Sequence, residues 1–332
     1  MKIDLDPFVN KVLRKVAECE LETGIYGRWG KGLEKRTGEP GINPYGCADA
    51  ANILYTLGHF PGDPQVREKW VRALQSLQDP ETGFFTESTH HRIHVTAHCI
   101  AALELFDAQP LYPVEGLRHL LAPGGIETFL DQLDWDNPWA ASHQGAGCYV
   151  GLVLTGEADL AWKDRYFQWL WDECDPESGM HRRGRIQKSR EPGSYFPCLA
   201  GTFHYLFNME SDHRPLRYPK ALIDTCFRIR HDDPFPVDQS WGFAPVDWVY
   251  CMTRALRQSG HRYDECREEL LDFTRVYLVW VLSGDFEEAH GLNDLHLLFG
   301  CLCALAELQS ALPGVLITSR PLKLVLDRRP FI

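Results

Sequence analysis

Six positions of this chain hold Ala48, His94, His143, Pro197, Asp247 and His296, separated by steps of 46, 49, 54, 50 and 49 residues. Each opens or sits near the start of an apolar run: Gly46-CADAANILYTL, His94-VTAHCIAAL, His143-QGAGCYVGLVL, Pro197-CLAGTFHYLF, Asp247-WVYCMTRAL and His296-LLFGCLCAL. Four of the six are ionisable, and Asp49, His98, Gln144, His204 and Asp294 lie close by in sequence. Histidine and aspartate at one equivalent position suit proton transfer. An aspartate there is also a good helix cap. A histidine is not, because the helix dipole disfavours its charged form, so the three histidines read as functional. Paired carboxylates about 5–9.5 Å apart would suit glycoside hydrolysis, with Asp49, Asp136, Asp247 and Asp294 as candidates. Arg92, Arg182, Arg183 and Arg185 could meet an acidic sugar. The run His181-RRGRIQKSR is either a clamp for a carboxylate or diphosphate or a solvated loop.

The elements that must position these residues follow from the period. A fixed spacing of this length means one copied supersecondary unit. The apolar runs are hydrophobic nearly all round, so both faces need cover. Between them lie amphipathic segments, such as Val66-REKWVRALQSL, Leu160-AWKDRYFQWLWDE and Glu265-CREELLDFTRVYLVWVL. Acidic–Gly turns recur at Glu20-LETGIYGRWG, Gln78-DPETGFFTE and Asp175-PESGMHRRG, where glycine supplies positive φ. The pattern predicts an all-α (α/α)6 toroid of six helical hairpins, with apolar helices inside and amphipathic ones outside. An open solenoid is the alternative. One domain over 1–332 is expected, with 313–332 as a C-terminal tail packed outside.

Bulk composition narrows the function. Of 332 residues, 44% are apolar, enough for a sizeable core. The net charge of −12 argues against nucleic acid as a partner. Neither a signal-like start nor a run of about 20 apolar residues is present, so a cytoplasmic chain that does not span a membrane is expected. The eleven cysteines sit mostly in apolar runs and read as reduced core residues. No CxxC pair marks a metal site, and neither a metal nor an organic cofactor is expected.

Trp70-VRALQSLQDPETGFF resembles the Gln–Trp repeat of class II terpene cyclases through Gln78, Gly83 and Phe85, and Asp238-QSWGF echoes it in Gln239, Trp241 and Gly242. The resemblance is at the level of the repeat and extends to the β subunits of protein prenyltransferases. It implies a monodomain cyclase that protonates an isoprenoid or meroterpenoid substrate in an aromatic-lined cavity. The cyclase signature DxDDTA is matched only in its last Asp, by Asp49, with Ala48 where the donor would stand. His94-Val95-Thr96-Ala97-His98 is close to the family's DVTAH, so His98 takes the place of the supporting histidine. The resemblance thus implies Asp247 or Asp49 as donor, Asp247 ranking first, with His98, His296 and His94 supporting. His143, Trp139, Trp241, Phe243, Trp248, Asp294 and Asp136 would line the substrate. The prenyltransferase likeness implies a second arrangement, a zinc site of Asp247, Cys251 and His296. A carbohydrate-active toroid, hydrolase, lyase or epimerase, remains the alternative reading. Peripheral membrane contact would suit a lipid substrate, although no amphipathic anchor stands out.

Overall fold

The computed structural model describes residues 2–30, 41–186, 195–231, 242–284, 286 and 291–332, and the chain is predominantly helical. The six apolar runs form helices Pro44–Thr56, Arg92–Glu104, Pro138–Val153, Tyr195–Ser211, Ala244–Ser259 and Leu295–Ala311, here core helices 1 to 6. Away from their ends they are buried on every side. In core helix 2 the whole stretch from Ile93 to Leu103 is inaccessible. Their starts are fixed chemically: Asn43, His91, Asn137 and Asp294 each accept a backbone N–H in the first turn.

Each core helix packs on the next, and core helix 6 packs on core helix 1, so the contacts run in a closed cycle. The amphipathic segments form flanking helices, including Pro64–Gln75, Leu160–Glu173, Pro219–His231 and Tyr263–Val281. Pro64–Gln75 buries only Trp70, Ala73 and Leu74, one stripe of a surface helix. Among the described residues no helix is long and apolar enough to cross a membrane. All eleven cysteines are buried.

The acidic–Gly turns join the two kinds of helix by a shared device. Asp79 Oδ1 accepts from the backbone of Glu81 and Thr82, and Asp175 Oδ2 accepts from Ser178. Gly83 and Gly179 then take φ of 74° and 71°. A Cβ on Gly83 would lie 1.9 Å from the Pro113 carbonyl oxygen, and one on Gly179 would lie 2.7 Å from the Leu222 nitrogen. Only glycine combines that backbone with that approach. Two residues further on, the chain is tied to a core helix. The Phe85 N–H donates to Thr96 Oγ1 (2.9 Å), the His181 N–H to Thr202 Oγ1 (3.0 Å), and the Tyr26 N–H to Cys47 Sγ (3.4 Å). Gln78 locks the same turn, donating to the carbonyls of Gly83 and Tyr112.

The two ends of the chain meet where the cycle closes. Ile3–Asp4 pairs in parallel with Leu316–Ile317, and Arg28 grips Asp294 through Nε and a terminal guanidinium nitrogen at 2.9 and 3.0 Å. The tail does not stay outside as expected. After Leu322 it turns inward: Arg329, Phe331 and Ile332 are buried, and the Phe331 ring lies 4.9 Å from His94 and 5.6 Å from Phe207. An apolar end fits a gap at the centre of the cycle better than water. Arg329 donates there to Asn52 Oδ1 at 2.8 Å and to the Phe331 carbonyl and lies over the face of Phe299, with Nη2 left without a hydrogen-bond partner.

Candidate functional site

Core helices 1, 2, 3, 4 and 6 bring a set of imidazoles around one carboxylate. Asp49 is fully buried and receives His98 Nε2 at 2.7 Å and His296 Nδ1 at 3.1 Å. Burial lowers the pKa of both imidazoles, that of His296 to about 4, against the pull of Asp49. At neutral pH Asp49 is thus met by two neutral N–H donors. Burial works against its charge, but His296 and His98 overcome it and hold the carboxyl below its ordinary range. The Tyr45 ring stacks on His98 and meets His296 edge-on, with centroids 5.0 and 4.3 Å away.

Beside this triad stand His94, His143 and His204. The His94 and His143 rings are 4.3 Å apart, and those of His143 and His204 are 4.5 Å apart. His94 Nδ1 is hydrogen-bonded to the Tyr45 hydroxyl. His204 Nδ1 lies 2.9 Å from the Ala200 carbonyl oxygen and 3.0 Å from Ser142 Oγ. All three pKa values are depressed by burial, that of His204 to about 3, and neighbouring imidazoles push those of His94 and His143 down further. His94, His98 and His296 therefore share one cluster with Asp49, as does His143.

Asp247 occupies a different setting. It lies in the first turn of core helix 5, 1% exposed, and its Oδ1 has no hydrogen-bond partner. Burial alone pushes its pKa well above the ordinary carboxyl value, which favours the protonated, neutral form. Cys251 lies one turn further along core helix 5, on the same face as Asp247. His296, however, is engaged with Asp49, and Cys251 Sγ is directed to the Leu199 carbonyl. The Asp247/Cys251/His296 zinc set that the prenyltransferase likeness implies is therefore not assembled among the described residues. Among the described residues, donor atoms converge instead in Asp49/His98/His296 and in His94/His143/His204.

The expected lining residues divide. Phe243 lies 4.6 Å from the His296 ring, and Trp139, 40% exposed, meets the edge of His143 at 5.5 Å. Trp248 packs on Phe273 and donates to the Cys226 carbonyl, away from the histidines in the flanking layer. Asp294 caps core helix 6 and is held by Arg28. Asp136 is an exposed turn residue 3.7 Å from Arg185. Trp241 lies outside the described residues. Arg182 is spent on Asp131, Glu173 and the faces of Trp135 and Trp169.

Tyr45, His90, His204 and Phe331 are part of the cluster and were not singled out as site residues by sequence reasoning. A signal was present: Tyr45 bonds His94 and Asp49 bonds His98, both across 49 residues. The turn latches at Cys47, Thr96 and Thr202 confirm that register. They make Tyr45 and Ala200 the counterparts of His94, one helical turn away from the expected Ala48 and Pro197. No protein-family model, curated protein or solved structure matches the chain.

Proposed function

We propose that the cycle of core helices is an (α/α)6 toroid and that the chain is an enzyme, a class II-type cyclase of an isoprenoid or meroterpenoid substrate. The observation that carries this reading is the opposite fate of two buried carboxyls. Asp247 is buried with an unpartnered Oδ1 and is pushed toward its protonated form, whereas Asp49 is held toward its ionised form by two N–H donors. Environments that push two carboxyl pKa values apart divide the roles of acid and stabilising anion. Asp247 adds its proton to an alkene carbon or an epoxide oxygen. Internal double bonds then attack in turn, and loss of a proton from the last cation closes the balance and returns a proton to the enzyme. Asp49 offsets the positive charge, and the faces of Tyr45, Phe243 and Trp139 add to that. The glycosidase reading is less favoured, because Asp294 is neutralised by Arg28 and Asp136 stands in solvent.

The test is incubation with linear polyprenyl epoxides and diphosphates, reading by mass spectrometry for products that are isomers of the substrate. Conversion that disappears in Asp247→Asn supports the reading. Turnover at the wild-type rate in that variant refutes it, and release of sugar from a glycan panel would favour the alternative.

A further inference from the structure

We propose that His94, His143 and His204 bind one divalent transition-metal ion of the Zn2+ kind, with solvent or substrate completing its coordination. The site goes beyond the proton chemistry of Asp247 and does not depend on it. The three residues come from three consecutive core helices, and one ligand atom of each lies within 4.8 Å of the others. Zinc–imidazole bonds of about 2.0–2.1 Å put tetrahedral nitrogens about 3.3 Å apart, so each ring needs to shift by less than about 1 Å.

The hydrogen bonding separates these imidazoles from ordinary core histidines. A buried histidine at rest satisfies its nitrogens within the protein. In the Asp49/His98/His296 group both imidazoles donate to the carboxylate, and of its buried polar atoms only His98 Nδ1 is left without a partner. No hydrogen bond joins His94, His143 and His204 to one another. Instead the outer nitrogens are fixed from behind. His204 Nδ1–H donates to the Ala200 carbonyl, which leaves Nε2 with its lone pair. The Tyr45 hydroxyl can do the same for His94 by accepting from Nδ1–H. Such partners on the far nitrogen are the usual support of a metal-bound imidazole. Three neutral imidazoles suit zinc and its neighbours in the series rather than calcium or magnesium. Access exists as well: His143 is half-buried and Trp139 beside it is partly exposed.

The protein, stripped with a chelator, is titrated with Zn2+ by calorimetry and with Co2+ by visible absorption. One ion per chain is expected, with Zn2+ displacing Co2+. His143→Ala, at the most accessible ligand, should weaken binding on the order of 100-fold or more, at least the loss seen for supporting partners of such sites. His204→Ala should do likewise, with folding verified by circular dichroism, while the surface variant His91→Ala keeps wild-type affinity. Binding that survives His143→Ala but is lost in Asp49→Asn would put the ion in the other triad and overturn the proposal. Absence of saturable binding would also overturn it, whatever the outcome of the Asp247 assay.

Discussion

Replacing Asp247 with Asn keeps the side chain's shape and removes its titration. In the folded chain burial raises the Asp247 pKa, and in the unfolded chain it returns to the ordinary value of 3.8. Between those two values the folded state holds a proton that the unfolded state has lost. The stability associated with the neutral acid is therefore complete below the unfolded value and is lost as pH rises, at about 1.4 kcal/mol per pH unit, until the folded pKa is passed. The Asn variant has no such slope. Urea denaturation of both proteins over a pH series from the unfolded value of 3.8 upward should show the variant gaining on the wild type as pH rises, close to tenfold in folding constant for each pH unit until the folded pKa is passed. Parallel stability curves would refute the reasoning, because they would mean that the carboxyl titrates as in the unfolded chain. The expected pairing, a variant that is steadier at neutral pH yet inactive, is the mark of a group kept for function at a cost in stability.

Asp49→Asn weakens the hydrogen bonds that His98 and His296 give to a charged acceptor and should cost about 1.5–3 kcal/mol, read as a lower urea midpoint. Because the Asp49 pKa is lowered, its contribution is present above the ordinary carboxyl pKa and is lost only as pH falls through the folded value, so the variant should also show a flatter acid limb. Gly83→Ala combines positive φ with a collision against the Pro113 carbonyl and should destabilise by at least about 2 kcal/mol, whereas Gly62→Ala, which meets nothing, should stay within about 0.5 kcal/mol of wild type. Phe331→Ala empties the space beside His94 and Phe207 and should cost about 3–5 kcal/mol by thermal or chemical denaturation.

The helical units were legible because an apolar run of a dozen residues with no polar face has one use, a helix covered on both sides. Their phase was less so. A run such as Gly46-CADAANILYTL looks the same when slid by one turn, and only the latch from Tyr26 to Cys47 shows that Tyr45, not Ala48, faces His94. Asp49 and His98 were paired by the family resemblance and are bonded in the structure. The part played by His204 was hidden because it sits two turns into its helix, away from the tips. Asp294 and Asp247 looked alike in sequence, each acidic at a helix start. Arg28, more than two hundred residues upstream, neutralises the first and leaves the second alone. The destination of the tail was illegible for a related reason, since nothing local distinguishes Phe331 from a residue lying on the surface.

The closing joint gives the molecule an order of assembly. Contacts between consecutive core helices span about one unit of sequence, while Asp49–His296 spans 247 residues and Arg28–Asp294 spans 266. Loop-closure entropy makes such distant contacts the slowest to form. A chain emerging from the ribosome can stack its first five units while Asp49 still lacks its second imidazole. The Asp49/His98/His296 group is thus completed by the same event that brings Arg28 to Asp294, and a copy cut before core helix 6 would hold folded helices with that group unfinished.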